Sequence, residues 1–137
     1  MRVEVRPFRQ DLNGSLYASP QLSLEPALVR VDLLESAPHA ADRMHWHPQM
    51  SGGEPGERVF DQALSSDPGG WLTAFLADLD TILRAAHPAA VVDGVATDFV
   101  AIAAERDEIV QVALSTLAEA RDPWRDVTHD VRGLGAF

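Results

Sequence analysis

The chain has no cysteine and no lysine among its 137 residues. Without cysteine, disulfides, thiolate metal sites and thiol nucleophiles are excluded together. Without lysine there is no Schiff-base chemistry and no phosphate-binding loop of the lysine type. Long apolar runs are also missing. The longest, "FVAIAA" at 99–104, is far short of the roughly 20 residues that span a bilayer. The opening "MRVEVRPFRQ" is charged at once and lacks an apolar targeting core. The expectation from these absences is a soluble, cytoplasmic protein.

Arginine supplies all 11 basic side chains against 21 acids, for a net charge of −10. The imbalance is uneven, because residues 1–34 carry four arginines and four acids and the remainder carries seven against seventeen. Affinity for nucleic acid comes largely from neutralising phosphates, so an acidic chain with no basic cluster argues against that partner. Anionic membrane surfaces are disfavoured for the same reason.

What is present divides the chain by period. In "RVEVRPF", Val3 and Val5 alternate with Arg2, Glu4 and Arg6, the pattern of a half-buried strand. "LNGSLYASPQLSLEP" is rich in Asn, Gly, Ser and Pro and reads as a turn or irregular loop. "ALVRVDLLES" alternates again, with Val29, Val31 and Leu33 against Arg30 and Asp32. "DRMHWHP" is a third, shorter strand, with Met44 and Trp46 opposite His45 and His47. The intervening "ESAPHAAD" is long enough to return the chain as an antiparallel hairpin.

After residue 66 the apolar period becomes helical. Asp67 is placed to cap a helix with Pro68 at its first position. Trp71, Leu72, Phe75, Leu76, Leu79, Ile82, Leu83 and Ala86 then share one broad face. A second helix starts near Ala89 or only after Gly94. Its stripe runs through Val95, Phe99, Ile102, Ala103, Ile109, Val110, Ala113, Leu114 and Leu117, and Pro123 ends it. The expectation is a single α+β domain over 1–137. About three antiparallel strands lie in a strand- and loop-rich part (1–66), packed against a helical hairpin (67–121), with a loop-like tail (122–137) pinned by Trp124. So small a sheet leaves edges that a second copy could complete, so a homodimer is expected.

Two constellations carry chemistry. On a strand, residues i and i+2 point the same way about 7 Å apart, so the His45 and His47 imidazoles can converge on one ion. If the hairpin strands share a buried face, Arg30 and Asp32 join the histidines on the opposite one. Asp32 then completes two histidines and a carboxylate, a set used by open divalent-metal sites. His39, Glu54, Glu57 and Asp61 are the alternative third ligands. The competing reading is two histidines on a solvated strand face. The His-x-His step with Glu54 downstream resembles the first metal motif of the cupin barrels. The glycine expected before it is missing, and the helical second half leaves no room for such a barrel, so that family is not assigned.

Arg106 falls near the middle of the second helix's apolar stripe. It must snorkel, meet a carboxylate such as Asp78, or bind a ligand anion. Arg30 and Arg106 are therefore the candidate ligand-binding residues, and His45, His47 and Asp32 the candidate metal ligands. "SGGEPGE" is glycine-rich, but Glu54 and Glu57 would repel a phosphate. No serine stands in a G-x-S-x-G turn. The functional expectation is a binding or accessory domain with a small-molecule or protein partner. Its alternative is a divalent-metal-dependent enzyme using His45, His47 and a carboxylate.

Overall fold

The computed structural model describes residues 1–12, 20–125, 128–129 and 135–136. It is an α+β fold with a small antiparallel sheet in the N-terminal half and helices after it. Strands β1 (Arg2–Val5), β4 (Val29–Asp32) and β5 (His45–His47) form the sheet in the order β1-β4-β5. Both pairings are antiparallel. The register sets Val3 opposite Val31 and Val31 opposite Trp46, and on the next rung Arg2 opposite Asp32 and Asp32 opposite His45. Val3, Val5, Val29, Val31 and Trp46 therefore lie on one face, and Arg2, Arg30, Asp32, His45 and His47 on the other.

The stretch expected to be an irregular loop is partly a ladder. Strands β2 (Phe8–Leu12) and β3 (Pro20–Leu24) pair antiparallel as a separate two-stranded arm; the rest of the expected loop, 13–19, lies outside the described residues. Its Asn, Gly, Ser and Pro content signals a turn but hides the strands on either side. After β5 the chain makes a second small hairpin, β6 (Met50–Ser51) with β7 (Glu54–Pro55). Gly52 and Gly53 join them at φ of 58° and 88°, as the two-residue primed turns require.

Helix α1 (Gln62–Ser66) is capped by the Asp61 side chain, which accepts from the Ala63 amide. Helix α2 (Pro68–Ala77) begins as the sequence indicates: Asp67 accepts from the Gly70 amide and Pro68 stands in the first turn. Each expected long helix is broken. The first divides at Asp78 into α2 and α3 (Leu79–Ala86). The second divides into α4 (Ala89–Asp93), a 3-10 turn (Ala96–Asp98), α5 (Phe99–Ala104) and α6 (Arg106–Arg121). Most of the apolar stripe survives the breaks, since Leu72, Phe75, Leu76, Leu79, Leu83, Phe99, Val110, Ala113 and Leu117 are all buried, but Leu114, expected in it, is exposed. They join Val29, Val31, Leu33, Met44, Leu64 and Val92 in one core. Within it, Trp46 packs against Trp71 and Phe75, at ring separations of 5.7 and 6.1 Å.

A two-pronged ion pair ties the end of the sheet to the end of α6, with Arg121 Nε 2.9 Å and its Nη2 2.6 Å from the two Glu35 carboxylate oxygens. In the tail, Thr128–His129 pairs with Gly135–Ala136, so the segment read as loop contains a short ladder. Trp124, expected to pin the tail, is half-buried.

Candidate metal centre

The polar face of the sheet is not a wet face. Asp32, His45 and His47 are only 2%, 5% and 1% exposed, which overturns the solvated-strand reading. They are enclosed because the chain returns beside β5 after the small hairpin. Val59 bridges Trp46 with both backbone hydrogen bonds, at 2.8 and 3.0 Å. Phe60 then lies over His45, with ring centroids 5.3 Å apart. Gly56 makes the close approach: its amide donates to the Gln49 carbonyl at 3.0 Å, and a Cβ there would sit 2.9 Å from that same oxygen. His87 and Gln49 brace the same region, through ring contacts to the Leu28 and Pro48 carbonyls and a hydrogen bond that the Gln49 side-chain amide donates to Ala86 O.

The backbone fixes how each imidazole is turned. His45 Nδ1 lies 2.9 Å from the Arg43 carbonyl, and His47 Nδ1 lies 3.1 Å from both Gly56 O and Glu57 O. A carbonyl only accepts, so both Nδ1 atoms are placed to donate, and in a neutral imidazole that leaves Nε2 with a lone pair. The Arg30 guanidinium, which only donates, stands 3.4 Å from His47 Nε2 and agrees with that tautomer. Both Nε2 atoms point at one oxygen. Asp32 Oδ2 is 3.3 Å from His45 Nε2 and 3.2 Å from His47 Nε2.

Electron-pair donors aimed at each other repel unless something positive stands between them. Protons on the histidines would serve, and so would a divalent metal ion, which brings the same two charges from a single centre. In a tetrahedral zinc site with bonds of about 2.0–2.1 Å, neighbouring donors lie about 3.3 Å apart, and Asp32 Oδ2 stands at about that distance from each Nε2. Asp32, His45 and His47 each present a ligand atom within 4.8 Å of the others and could hold a metal ion together.

Asp32 also carries the site's arginines. Arg30 reaches Oδ2 through Nε at 3.0 Å and Nη2 at 2.9 Å, and Arg2 Nε reaches Oδ1 at 3.2 Å. Burial pushes the Asp32 carboxyl up, but these two guanidiniums outweigh it and hold the carboxyl below its usual range. It therefore stays an anion and a competent ligand.

The alternative third ligands go elsewhere. Asp61 accepts from Trp71 Nε1 at 2.9 Å as well as capping α1. Glu54 and Glu57 have exposed side chains, and Glu57 serves the centre only through its carbonyl. His39 is exposed, at a φ of 65°. Arg106 stands at the start of α6, half-buried, and donates to the Ala103 carbonyl. No ion pair joins it to Asp78, which is exposed at the α2–α3 break. Arg106 shares the face of α6 that buries Val110, Ala113 and Leu117, but the break at Glu105 makes it the first residue of that helix, at the end of the stripe.

Fold and site together define a small α+β protein with a buried two-histidine, one-carboxylate cluster. Comparison with protein-family models, with curated proteins and with solved structures returns no match.

Proposed function

We propose that this protein is a binding domain for a divalent transition metal, held by His45 Nε2, His47 Nε2 and Asp32. The observation that carries the reading is the pair of backbone-locked Nδ1 atoms, which turns two lone pairs onto one carboxylate oxygen at ligand-to-ligand spacing. Backbone acceptors at the outer nitrogen are the support that metal-bound histidines regularly have. Imidazole and carboxylate together suit zinc and iron(II). Three protein donors leave at least one position open, which is also what an enzyme would need. Metal-dependent catalysis is therefore the alternative function for the same residues.

The test is metal content of tag-free protein, followed by calorimetric titration with zinc, nickel and iron(II). The expected result is one site per chain, lost in both His45→Ala and His47→Ala. Binding no tighter than that of an isolated surface histidine pair overturns the reading.

Self-association belongs to the same proposal. Phe8 and Leu24 face each other across the β2–β3 arm with Leu22 on the same side, and all three are exposed. A two-stranded ladder is marginal alone, so this apolar side and the β1 edge are where a second copy would seat. Light scattering at micromolar concentration should give a dimer mass, and a clean monomer contradicts it.

A further inference from the structure

We propose that the metal-filled centre takes a small oxyanion, of the carboxylate or phosphate class, held between the metal's open position and the Arg30 guanidinium. This rests on the metal reading above and adds to it a ligand class and a residue that selects it.

The starting point is charge. A divalent ion added to Arg30 and Asp32 leaves two positive charges in excess around a buried carboxylate, and Arg2, 57% exposed, adds a third that water screens. Uncompensated charge of that size is costly away from water. The other acid on this face of the sheet's strands is Glu4, opposite Arg30 in the register, and it is committed to Arg6 at 2.6–2.7 Å. Glu57 contributes its backbone and not its carboxylate. The deficit falls to whatever occupies the open coordination position, and that ligand must be an anion.

Arg30 is placed to be its second partner. Its Nε and Nη2 both bind Asp32 Oδ2, the oxygen that both histidines also face. A metal bound there takes over that oxygen and displaces the guanidinium by a short distance at the rim of the site. A planar guanidinium fork released beside a metal ion matches the two oxygens of a carboxylate or phosphate. Before the metal binds, the same fork is the cation that neutralises Asp32. Arg30 thus opposes metal binding and favours anion binding, and these opposite signs can be measured apart. The enclosing groups keep the ligand small. Phe60, 64% exposed, and the outward-reaching Arg2 are the side chains that would part to admit it.

The experiment uses full-length protein loaded with cobalt(II), whose visible absorption reports changes in coordination. Inorganic phosphate and acetate are titrated into the wild-type protein, Arg30→Met and Arg30→Lys. In the wild type either anion should shift the band saturably. Arg30→Met should bind cobalt more tightly than the wild type but lose about tenfold in anion affinity, the worth of one charge-assisted contact. Arg30→Lys should fall between. Phosphate and acetate affinities compared at one pH identify the preferred oxyanion. If the wild type binds no cobalt, the metal reading fails and this inference with it. If cobalt binds but neither anion moves the band, or moves it equally in Arg30→Met, the oxyanion ligand alone is overturned. Weakening of both cobalt and anion in Arg30→Met would mean that Arg30 only props the site, and would also overturn it.

Discussion

The two faces of the three-stranded sheet are built from alternate residues of the same strands, and both are buried, yet for different reasons. Val29, Val31 and Trp46 are covered by helices that bring their own apolar side chains. Asp32, His45 and His47 are enclosed by a returning strand-like segment that brings carbonyl groups. The first face is held by contact area, and almost any well-shaped apolar set would serve. The second is held by directed bonds, and only donors and acceptors of the right tautomer will do. A buried face is thus no sign by itself of a core. The partner it meets decides whether it stabilises the fold or holds a ligand.

That contrast can be broken most severely on the apolar side. Trp46→Ala removes the ring between Trp71 and Phe75 and should cost about 3–5 kcal/mol, measured by denaturant melts. The unpartnered Trp46 Nε1 should make Trp46→Phe much milder, since that variant also removes a buried donor with no acceptor. A loss in Trp46→Phe as large as in Trp46→Ala would mean that the indole N–H has a partner.

On the polar side, Asp32→Asn leaves Arg30 without its anion and should cost about 3 kcal/mol in metal-free protein. It should also abolish metal uptake. Unchanged melting would show that the arginines reach water instead.

The Glu35–Arg121 pair gives a smaller, pH-dependent effect. The hydrogen bonds and charge of Arg121 hold the Glu35 carboxyl below its ordinary value of 4.5, outweighing burial. A carboxyl with a depressed folded-state pKa stabilises the fold above its unfolded value and loses that contribution as pH falls through the folded one. Acid melts of the wild type should therefore steepen below pH 4.5, and Arg121→Met should flatten that part of the curve. Identical acid profiles would dismiss the pair as a stabiliser.

Smallest of all is Arg106→Met. With the Ala103 carbonyl as its partner among the described residues, it should change stability by no more than about 0.5 kcal/mol. A larger loss would restore the buried partner that the helix wheel suggests.

Period-2 alternation makes the polar face legible in the amino-acid sequence. Val29, Val31 and Trp46 have to share the core, which sets Asp32 beside His45 and His47. The same logic reaches Arg2, on the outward side of β1, only once β1 is known to pair with β4. Pairing order is a tertiary fact that alternation does not contain. The Gly56 and Glu57 carbonyls are invisible for a different reason, because backbone groups leave no mark in a side-chain pattern. The helices are legible as apolar faces but not as unbroken rods. Asp78 and Glu105 interrupt the backbone without interrupting the stripe, and at that break Arg106 reaches a backbone carbonyl in place of Asp78.

The central claim is that the chain turns two imidazole lone pairs onto Asp32. Long-range proton–nitrogen correlation spectra of the imidazole side chains at neutral pH test it directly. Both His45 and His47 should carry hydrogen on Nδ1 and none on Nε2, and zinc should move only the two Nε2 resonances substantially. Hydrogen on Nε2 of either residue, or zinc shifts centred on Nδ1, would contradict the account.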